Sequence, residues 1–174
     1  MKTKKTLVAF FSRTGENYAV GHIEKGNTHI VAEMIVVETG AHLYRIEPVT
    51  PYPDSYTECT EVAKQELAAK ARPAIKGDVT VSDYDVIFIG YPNWWGDMPM
   101  PVYTFIEKHD WQGKTVIPFC THEGSGLSGT ETKLKKACRG AIVLEGLAVR
   151  GATAQNSREQ AGKSVENWLD KLKY

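Results

Sequence analysis

DVIFIGYPNWWGDMP, residues 85–99, is the stretch that decides the fold of this 174-residue chain. Its first part places four consecutive apolar residues, Val86–Ile89, between Asp85 and Gly90. A continuous apolar run of this length between turn residues is typical of a strand that is buried on both faces. Strands of that kind belong to parallel sheets that carry helices on both sides. The stretch therefore predicts an α/β fold.

Four more strands and five helices alternate with this strand along the chain. The predicted strands are Thr6–Phe11, His42–Ile46, Lys114–Cys120 and Ala141–Val149. The predicted helices run from Asn27 to Gly40, from the residue after Asp54-Ser55 to Ala71, near Val102–Lys108, over Thr130–Cys138, and from a capping-box pattern at Ser157–Gln160 toward Lys173. Because crossovers between parallel strands are right-handed, this order predicts a three-layer, doubly wound, five-stranded parallel sheet in one domain, residues 1–174. Ligands of such sheets bind beyond the carboxyl ends of the strands, which directs attention to the loops after the first, third and fourth strands.

Composition excludes several classes of function. Lys and Arg total 21 and so do Asp and Glu, so the chain lacks the broad positive field of a general nucleic-acid binder. The longest apolar runs, Leu7–Phe11 and Val86–Ile89, are far shorter than the ~20 residues of a membrane helix. We therefore expect a cytoplasmic protein that binds neither nucleic acid nor membrane. No feature of the sequence fixes its oligomeric state.

Cysteine and histidine spacing predicts neither a disulfide framework nor a metal site. Cys59, Cys120 and Cys138 are distant from one another and form no CxxC pair. The five histidines are equally scattered. We expect three reduced and mostly buried thiols.

The loop after the first strand has the composition of an anion site. It contains Ser12-Arg13-Thr14, then residues 15–25, then Gly26-Asn27-Thr28 at the start of a helix. Hydroxyls and free backbone N–H groups at a helix N-terminus suit a phosphate. A GxxxxGK[ST] motif is absent, which argues against a nucleoside triphosphatase. The alternative is that these residues only turn the chain and cap the helix.

The loop after the third strand contains two adjacent tryptophans, Trp94 and Trp95, among Pro, Asn and Gly residues. Both cannot be core residues of one regular element. The pair favours a flat aromatic ligand or a partner surface over simple packing.

The loop after the fourth strand is rich in glycine. Gly124, Gly126 and Gly129 match GxGxxG, with Glu145 downstream, as in a nicotinamide-binding Rossmann unit. That motif should follow the first strand, however, and the chain lacks a second mononucleotide-binding half. A loop that offers backbone N–H groups to a ligand is the better interpretation.

All three loops resemble those of flavodoxins. The first resembles the flavodoxin phosphate loop S-x-T-G-N-T, cut open by the insertion of residues 15–25. The second is similar to a flavodoxin subgroup with the pattern GYPxWWG. The resemblance implies strand order 2-1-3-4-5 and noncovalently bound FMN. The insertion either folds over the cofactor or extends the first loop, and long-chain flavodoxins carry their extra segment in the fifth strand instead.

The same resemblance implies the roles of individual residues. The phosphate would be held by Ser12, Thr14, Asn27 and Thr28, with Arg13 contributing mainly its backbone. The flavin ring would be framed by Pro92, Asn93, Trp94, Trp95 and Gly96 on one side and by Thr121, His122, Glu123, Gly124 and Gly126 on the other. Gly96 would occupy a turn that requires a positive φ.

The resemblance implies an electron carrier that exchanges electrons with a reductase and an acceptor. Flavodoxins are commonly acidic and this chain is neutral, so we expect weak electrostatic steering toward basic partners. One alternative is an FMN-dependent NAD(P)H:quinone or nitro oxidoreductase. A second is a receiver-type signalling domain, which needs an acidic phosphoacceptor where this chain has Gly90-Tyr91-Pro92.

Overall fold

The computed structural model describes residues 3–173, so Met1, Lys2 and Tyr174 of the predicted domain 1–174 lie outside the described residues. Its strands are β1 (Thr6–Phe10), β2 (Gly15–Asn17), β3 (Gly21–Ile23), β4 (His42–Arg45), β5 (Val86–Pro92), β6 (Thr115–His122), β7 (Ile142–Val143) and β8 (Leu147–Arg150). Its α-helices are α1 (Asn27–Thr39), α2 (Tyr56–Ala69), α3 (Met100–Glu107), α4 (Thr130–Ala137), α5 (Gly151–Asn156) and α6 (Arg158–Leu172). No helix within residues 3–173 is both long and apolar enough to cross a membrane.

The central sheet is parallel and has the order β4-β1-β5-β6, with β7 and β8 sharing the edge beside β6. The hairpin of β2 and β3 forms a separate small sheet. If the hairpin strands are not counted, and β7 and β8 are counted together as the fifth strand, this order is the predicted order 2-1-3-4-5. The doubly wound α/β prediction is therefore confirmed, with six strands in the sheet instead of five.

The two faces of the sheet bury separate apolar layers because side chains alternate along each strand. Leu7, Ala9 and Phe11 face a core that also contains Val102 and Phe105 of α3 and Leu134 of α4. Val8 and Phe10 face a second core, which contains residues of α1, α5 and α6 such as Ile35, Ala154 and Trp168. Helices thus cover both faces, as the uninterrupted apolar strands required.

The predicted fifth strand, Ala141–Val149, is wrong as a single element. Leu144 N–H donates to Val116 O at 3.0 Å, and a parallel ladder would continue with the N–H of residue 118 donating to the Leu144 carbonyl. Residue 118 is Pro and has no N–H. Pairing resumes only at Phe119 with Leu147, so the edge consists of two short strands.

The predicted capping box at Ser157 is also wrong, and α5 was not expected. Ser157 is the N-cap residue of α6, but its side chain makes no capping hydrogen bond. Its N–H donates to Thr153 O at 2.9 Å and so closes α5. Ser157 is therefore the joint between two helices.

The three cysteines are buried free thiols, as expected.

Candidate functional site

A cleft of about 400 Å³ opens at the carboxyl ends of β1, β5 and β6, where the sheet topology predicts a ligand. Nine of the fifteen predicted site residues line it: Arg13, Asn27, Pro92, Asn93, Trp94, Trp95, Thr121, His122 and Glu123. Six do not line it: Ser12, Thr14, Thr28, Gly96, Gly124 and Gly126. The three glycine-rich or hydroxyl-rich loops nevertheless meet at this one cleft.

The two halves of the interrupted first loop are in contact. Ser12 Oγ accepts a hydrogen bond from the His29 N–H of α1 at 3.1 Å. A Cβ on Gly26 would collide with the Ser12 hydroxyl and lie 2.8 Å from Arg13 O, so only glycine allows this close approach. The insertion therefore leaves the segment around Ser12 and the N-terminus of α1 assembled as one unit.

The first turn of α1 presents unused donors. The N–H groups of Asn27 and Thr28 belong to those that a helix cannot satisfy internally, and no acceptor within residues 3–173 takes them. Thr28 Oγ1 is hydrogen-bonded to Thr121 Oγ1 at 2.7 Å, and both threonines are buried. Thr14 is exposed at the start of the insertion. This segment offers N–H and hydroxyl donors for an anion.

Arg13 supports the insertion with its side chain. Its guanidinium donates to Pro53 O at 2.7 Å, to Asp54 O at 2.6 Å and to Glu16 O. The predicted role of Arg13 through its backbone is consistent with this arrangement, because the charged group is occupied by three carbonyl oxygens.

The insertion forms the β2–β3 hairpin and packs on the N-terminus of α2. Glu16 Oε1 accepts a hydrogen bond from Tyr56 N–H at 3.2 Å. The rings of Tyr18 and Tyr56 have centroids 5.8 Å apart. Asn17 and Tyr18 line the cleft, so the hairpin forms a wall of it. Of the two alternatives for the insertion, the geometry favours an element beside the ligand site over a simple extension of the loop.

Trp94 and Trp95 have different environments. Trp94 packs edge-on against Phe11 and Tyr52, with ring centroids 5.1 and 4.9 Å away. The Trp95 side chain is 52% exposed, its Nε1 donates to Thr60 O of α2 at 3.0 Å, and Lys64 Nζ lies 5.5 Å from the centroid of its ring. Trp94 is thus partly a packing residue, and Trp95 presents its ring to the cleft.

The two tryptophans begin a tight turn. Trp94 and Asp97 exchange two backbone hydrogen bonds of 3.0 and 3.1 Å. Between them Trp95 and Gly96 have φ of 57° and 75°, as in a type I′ turn. The expected positive φ at Gly96 is present. At Trp95 the same conformation is unusual, since a bulky side chain disfavours it.

Asn93 joins the second and third loops. Its Nδ2 donates to Gly126 O and to Ser128 Oγ, both at 2.8 Å, and its Oδ1 accepts from Gly96 N–H at 3.0 Å. Its backbone N–H donates to Thr121 O at 2.8 Å. The Asn93 side chain therefore holds the loops together instead of offering a free amide to a ligand.

The side chain of Asp97 holds this turn in place through contacts with α3 and α4. It is buried, and its carboxylate accepts hydrogen bonds from Met98 N–H and from Tyr103 OH of α3, each at 2.7 Å. Lys133 Nζ of α4 lies 3.0 Å from Asp97 Oδ2 and donates to Gly96 O at 3.2 Å. Helix α3 begins at Met100, three residues after Asp97.

The third loop is fixed by hydrogen bonds of its own. His122 Nδ1 accepts from Gly124 N–H at 2.8 Å, and burial, with Arg150 nearby, lowers the pKa of His122 and favours the neutral ring. Glu123 Oε1 accepts from Ala152 N–H at 2.8 Å in α5, and burial raises the pKa of the Glu123 carboxyl. Glu123 is therefore a structural link as well as a cleft residue.

Sequence reasoning missed one wall of the cleft. Seven further residues line it: Asn17, Tyr18, Tyr56, Cys59, Thr60, Ala63 and Ser125. Four of these lie in the first turns of α2. The crossover rule contained the signal, because every helix that follows a parallel strand begins at the carboxyl edge of the sheet. The local signal in the sequence was the pair of tyrosines, Tyr18 and Tyr56.

Comparison with known proteins agrees with this fold. A family model described as Flavodoxin matches residues 5–172. A search of curated proteins found no significant match.

Solved structures give similarities at two levels. The chain is 34% identical to a proposed flavoprotein from Bacteroides eggerthii DSM 20697, with a TM-score of 0.78 and 99% of each chain covered. It is 32% identical to a proposed flavoprotein from Bacteroides uniformis ATCC 8492, with a TM-score of 0.75 over 95% of this chain and 99% of that one. A flavoprotein in complex with FMN from Lactobacillus acidophilus NCFM is 22% identical, with a TM-score of 0.66 over 89% and 98% of the two chains. At 22% identity, the similarity to the Lactobacillus flavoprotein is evidence for the fold alone.

Proposed function

Because the chain belongs to the flavodoxin family, we propose that it binds FMN noncovalently in this cleft and transfers electrons through the flavin in the cytoplasm. The observation that carries the proposal is the meeting of the loops after β1, β5 and β6 at one cleft. The FMN complex of the Lactobacillus relative supports the choice of cofactor.

The donors of the first loop suit the phosphate of FMN. The N–H groups of Asn27 and Thr28 and the hydroxyl of Thr14 would bind it at the positive end of the α1 dipole. Ser12 would act indirectly, because its hydroxyl is already bonded to His29 N–H. The close packing at Gly26 keeps these donors together.

The second and third loops suit the flavin ring. Trp95 offers an exposed aromatic face, and Pro92 and Thr121 line the cleft beside it. The amide of Asn93 is occupied, so hydrogen bonds to the ring would come from backbone groups of the Trp94–Gly96 and Thr121–Gly126 segments. When bound, FMN supplies the redox chemistry, while these residues bind it and exclude water.

An electron carrier is favoured over an enzyme that oxidises NAD(P)H directly. Among the residues that line the cleft, Arg13 is the one permanent cation, and three carbonyl oxygens occupy its guanidinium. No Lys or Arg among the lining residues is therefore free to bind the pyrophosphate of a nicotinamide dinucleotide. We therefore propose that a reductase protein reduces the flavin and that an acceptor reoxidises it.

Two measurements on the purified protein test the proposal. Titration with FMN should give saturable, 1:1 quenching of flavin fluorescence, with weaker binding of riboflavin, which lacks the phosphate. The FMN-loaded protein, mixed anaerobically with NADH or NADPH, should keep its oxidised flavin absorption until an NADPH-dependent flavodoxin reductase is added. If the protein does not bind FMN, the proposed cofactor is wrong. If NAD(P)H alone rapidly bleaches the flavin absorption, the proposed role as an electron carrier is wrong.

A further inference from the structure

Helix α5 contacts two of the three cleft loops, although none of its own residues lines the cleft. Near its start, Ala152 N–H donates to Glu123 Oε1 of the third loop at 2.8 Å. Near its end, Gln155 Nε2 donates to Lys25 O at 2.7 Å and to Asn27 Oδ1 at 2.9 Å. The last two acceptors belong to the end of the insertion and to the first residue of α1. Helix α5 therefore bridges the first and third loops from behind the cleft.

The contacts of Gln155 determine which way the Asn27 amide is turned. Lys25 O is a backbone carbonyl and can only accept, so the Gln155 atom that faces it must be the donor Nε2. The second hydrogen of Nε2 needs an acceptor, and that acceptor is Asn27 Oδ1. Because the oxygen of the Asn27 amide is directed to Gln155, its Nδ2 is directed away from Gln155.

The Nδ2 group of Asn27 is a free donor at the cleft. In the part of the chain that the structure describes, no acceptor takes its hydrogens, and both Asn27 and Glu123 line the cleft. A Cβ on Gly151 would lie 2.3 Å from Asn27 Nδ2 and 2.5 Å from Glu123 Oε1, so only glycine fits beside these two side chains. If the amide were turned by 180°, Oδ1 would come close to the Glu123 carboxylate, and two acceptors there would repel each other and an anionic ligand.

We propose, on the premise that the cleft binds FMN, that Gln155 is a positioning residue for the FMN phosphate. Gln155 does not line the cleft, and it acts through Asn27 and through the Lys25 carbonyl. The bond to Asn27 Oδ1 keeps Nδ2 on the cleft side as a donor. The bond to Lys25 O fixes the chain just before Gly26, so that the N–H groups of Asn27 and Thr28 stay directed at the same anion.

The test compares FMN with riboflavin, which lacks the phosphate, by fluorescence titration of the purified protein. Gln155→Met keeps the length of the side chain but removes its donors, which leaves the Asn27 amide free to turn. The FMN dissociation constant should rise about tenfold, as for the loss of one hydrogen bond to a charged group, and the riboflavin constant should change less than about twofold. Gln160→Met is the matched control, because Gln160 is exposed on the next helix and does not line the cleft.

A double-mutant cycle tests whether Gln155 acts through Asn27. Asn27→Ala removes the amide that Gln155 orients and should itself weaken FMN binding about tenfold. In the Asn27→Ala background, Gln155→Met should weaken FMN binding further by less than about threefold, because only the contact with Lys25 O remains to be lost. A further tenfold loss in that background would mean that the two residues act independently, and it overturns the proposal.

Two more results would overturn the proposal and leave the proposed function intact. One is an FMN affinity of Gln155→Met equal to that of the control, and the other is an equal loss for FMN and riboflavin, which assigns Gln155 to the packing of α5. Thermal unfolding of each apoprotein checks the fold, and Gln155→Glu, which has nearly the same shape, is the second variant. Its carboxylate can only accept, so it should draw Asn27 Nδ2 away from the cleft and weaken FMN binding at least tenfold. Failure of the unmodified protein to bind FMN overturns both proposals.

Discussion

Two neighbouring tryptophans in this protein serve different purposes, and the difference can be measured. The Trp94 ring packs edge-on against Phe11 and Tyr52, which belong to the core beneath the cleft. Trp95 is half exposed and occupies a backbone conformation that costs an L-residue about 1–2 kcal/mol. This strain offsets part of what the contacts of Trp95 contribute to folding.

Replacement of each tryptophan should therefore change stability unequally. Trp95→Asn removes the strain but also the hydrogen bond to Thr60 O, worth about 0.5–1.5 kcal/mol, so the free energy of unfolding should change by less than about 1 kcal/mol. Trp94→Ala should lower it by about 3 kcal/mol, the lower end of the range for truncating a buried aromatic residue. Urea denaturation of the apoprotein measures both. Equal losses would show that Trp95 is also a packing residue.

Thr14 provides the sharpest test of the phosphate assignment. Its hydroxyl is exposed, so Thr14→Ala should leave folding unchanged. Loss of a hydrogen bond to a charged group costs about 1.5–3 kcal/mol, which corresponds to roughly one to two decades in FMN affinity. Riboflavin affinity should stay the same, because riboflavin has no phosphate. Fluorescence titration with both ligands measures the effect, and Thr80→Ala, an exposed threonine outside the cleft, is the control. A parallel loss for riboflavin contradicts the assignment.

At the scale of elements, the cleft depends on ties between loops and helices. The turn at Trp94–Asp97 is joined to α3 through Tyr103 and to α4 through Lys133. Lys133 also holds the Gly96 carbonyl. Removal of the cationic partner of a buried carboxylate lowers the free energy of unfolding, because few other groups compensate the charge.

Lys133→Met should accordingly loosen the turn. Asp97 would keep its bonds to Met98 and Tyr103, so the expected loss of stability is moderate, about 1–2 kcal/mol. Amide hydrogen exchange should become faster at Gly96 and Asp97 relative to the rest of the sheet. The control is Lys135→Met on the same helix, where the side chain is exposed. Unchanged exchange in the Lys133 variant would mean that the turn is held by Asn93 and Tyr103 alone.

The elements also show how far sequence reasoning reaches. The apolar run at Val86–Ile89 predicted a strand buried on both faces, because continuous burial needs continuous apolar residues. The break in the fifth strand depends on Pro118 in the neighbouring strand, which is a partner that local periodicity does not identify. For a similar reason the sequence left two alternatives open for the insertion, since the position of the hairpin depends on contacts between Arg13 and the residues before α2.

At the scale of the whole molecule, burial of ionisable groups sets the pH range of stability. Burial lowers the pKa of His29, His109 and His122 from 6.5. It raises the pKa of Cys59 above 9.0, and it raises the pKa of Cys120 and of Cys138 to about 12. Tyr52, Tyr91 and Tyr103 are shifted upward from 10.0 for the same reason. In every case the folded protein favours the neutral form.

These shifts predict a stability plateau between about pH 6.5 and 9.0. Below 6.5 the unfolded chain binds protons that the folded histidines do not, so stability falls as the pH falls through the unfolded histidine value. The raised pKa of Glu123 works against this loss at lower pH, because the folded carboxyl takes up its proton first, whereas the lowered pKa of Glu33, whose carboxylate is bonded to Lys25, adds to the loss. Above 9.0 the unfolded cysteines lose protons that the folded thiols retain, and the tyrosines follow above 10.0, so stability falls again as the pH rises.

Urea denaturation of the apoprotein across this range measures the profile, with reductant present to keep the thiols free. Cys138→Ala, which removes one buried thiol, should lower the plateau but reduce the slope of the alkaline limb. A profile that keeps rising above pH 9.0, or an alkaline slope that Cys138→Ala leaves unchanged, would contradict the role given to the buried thiols.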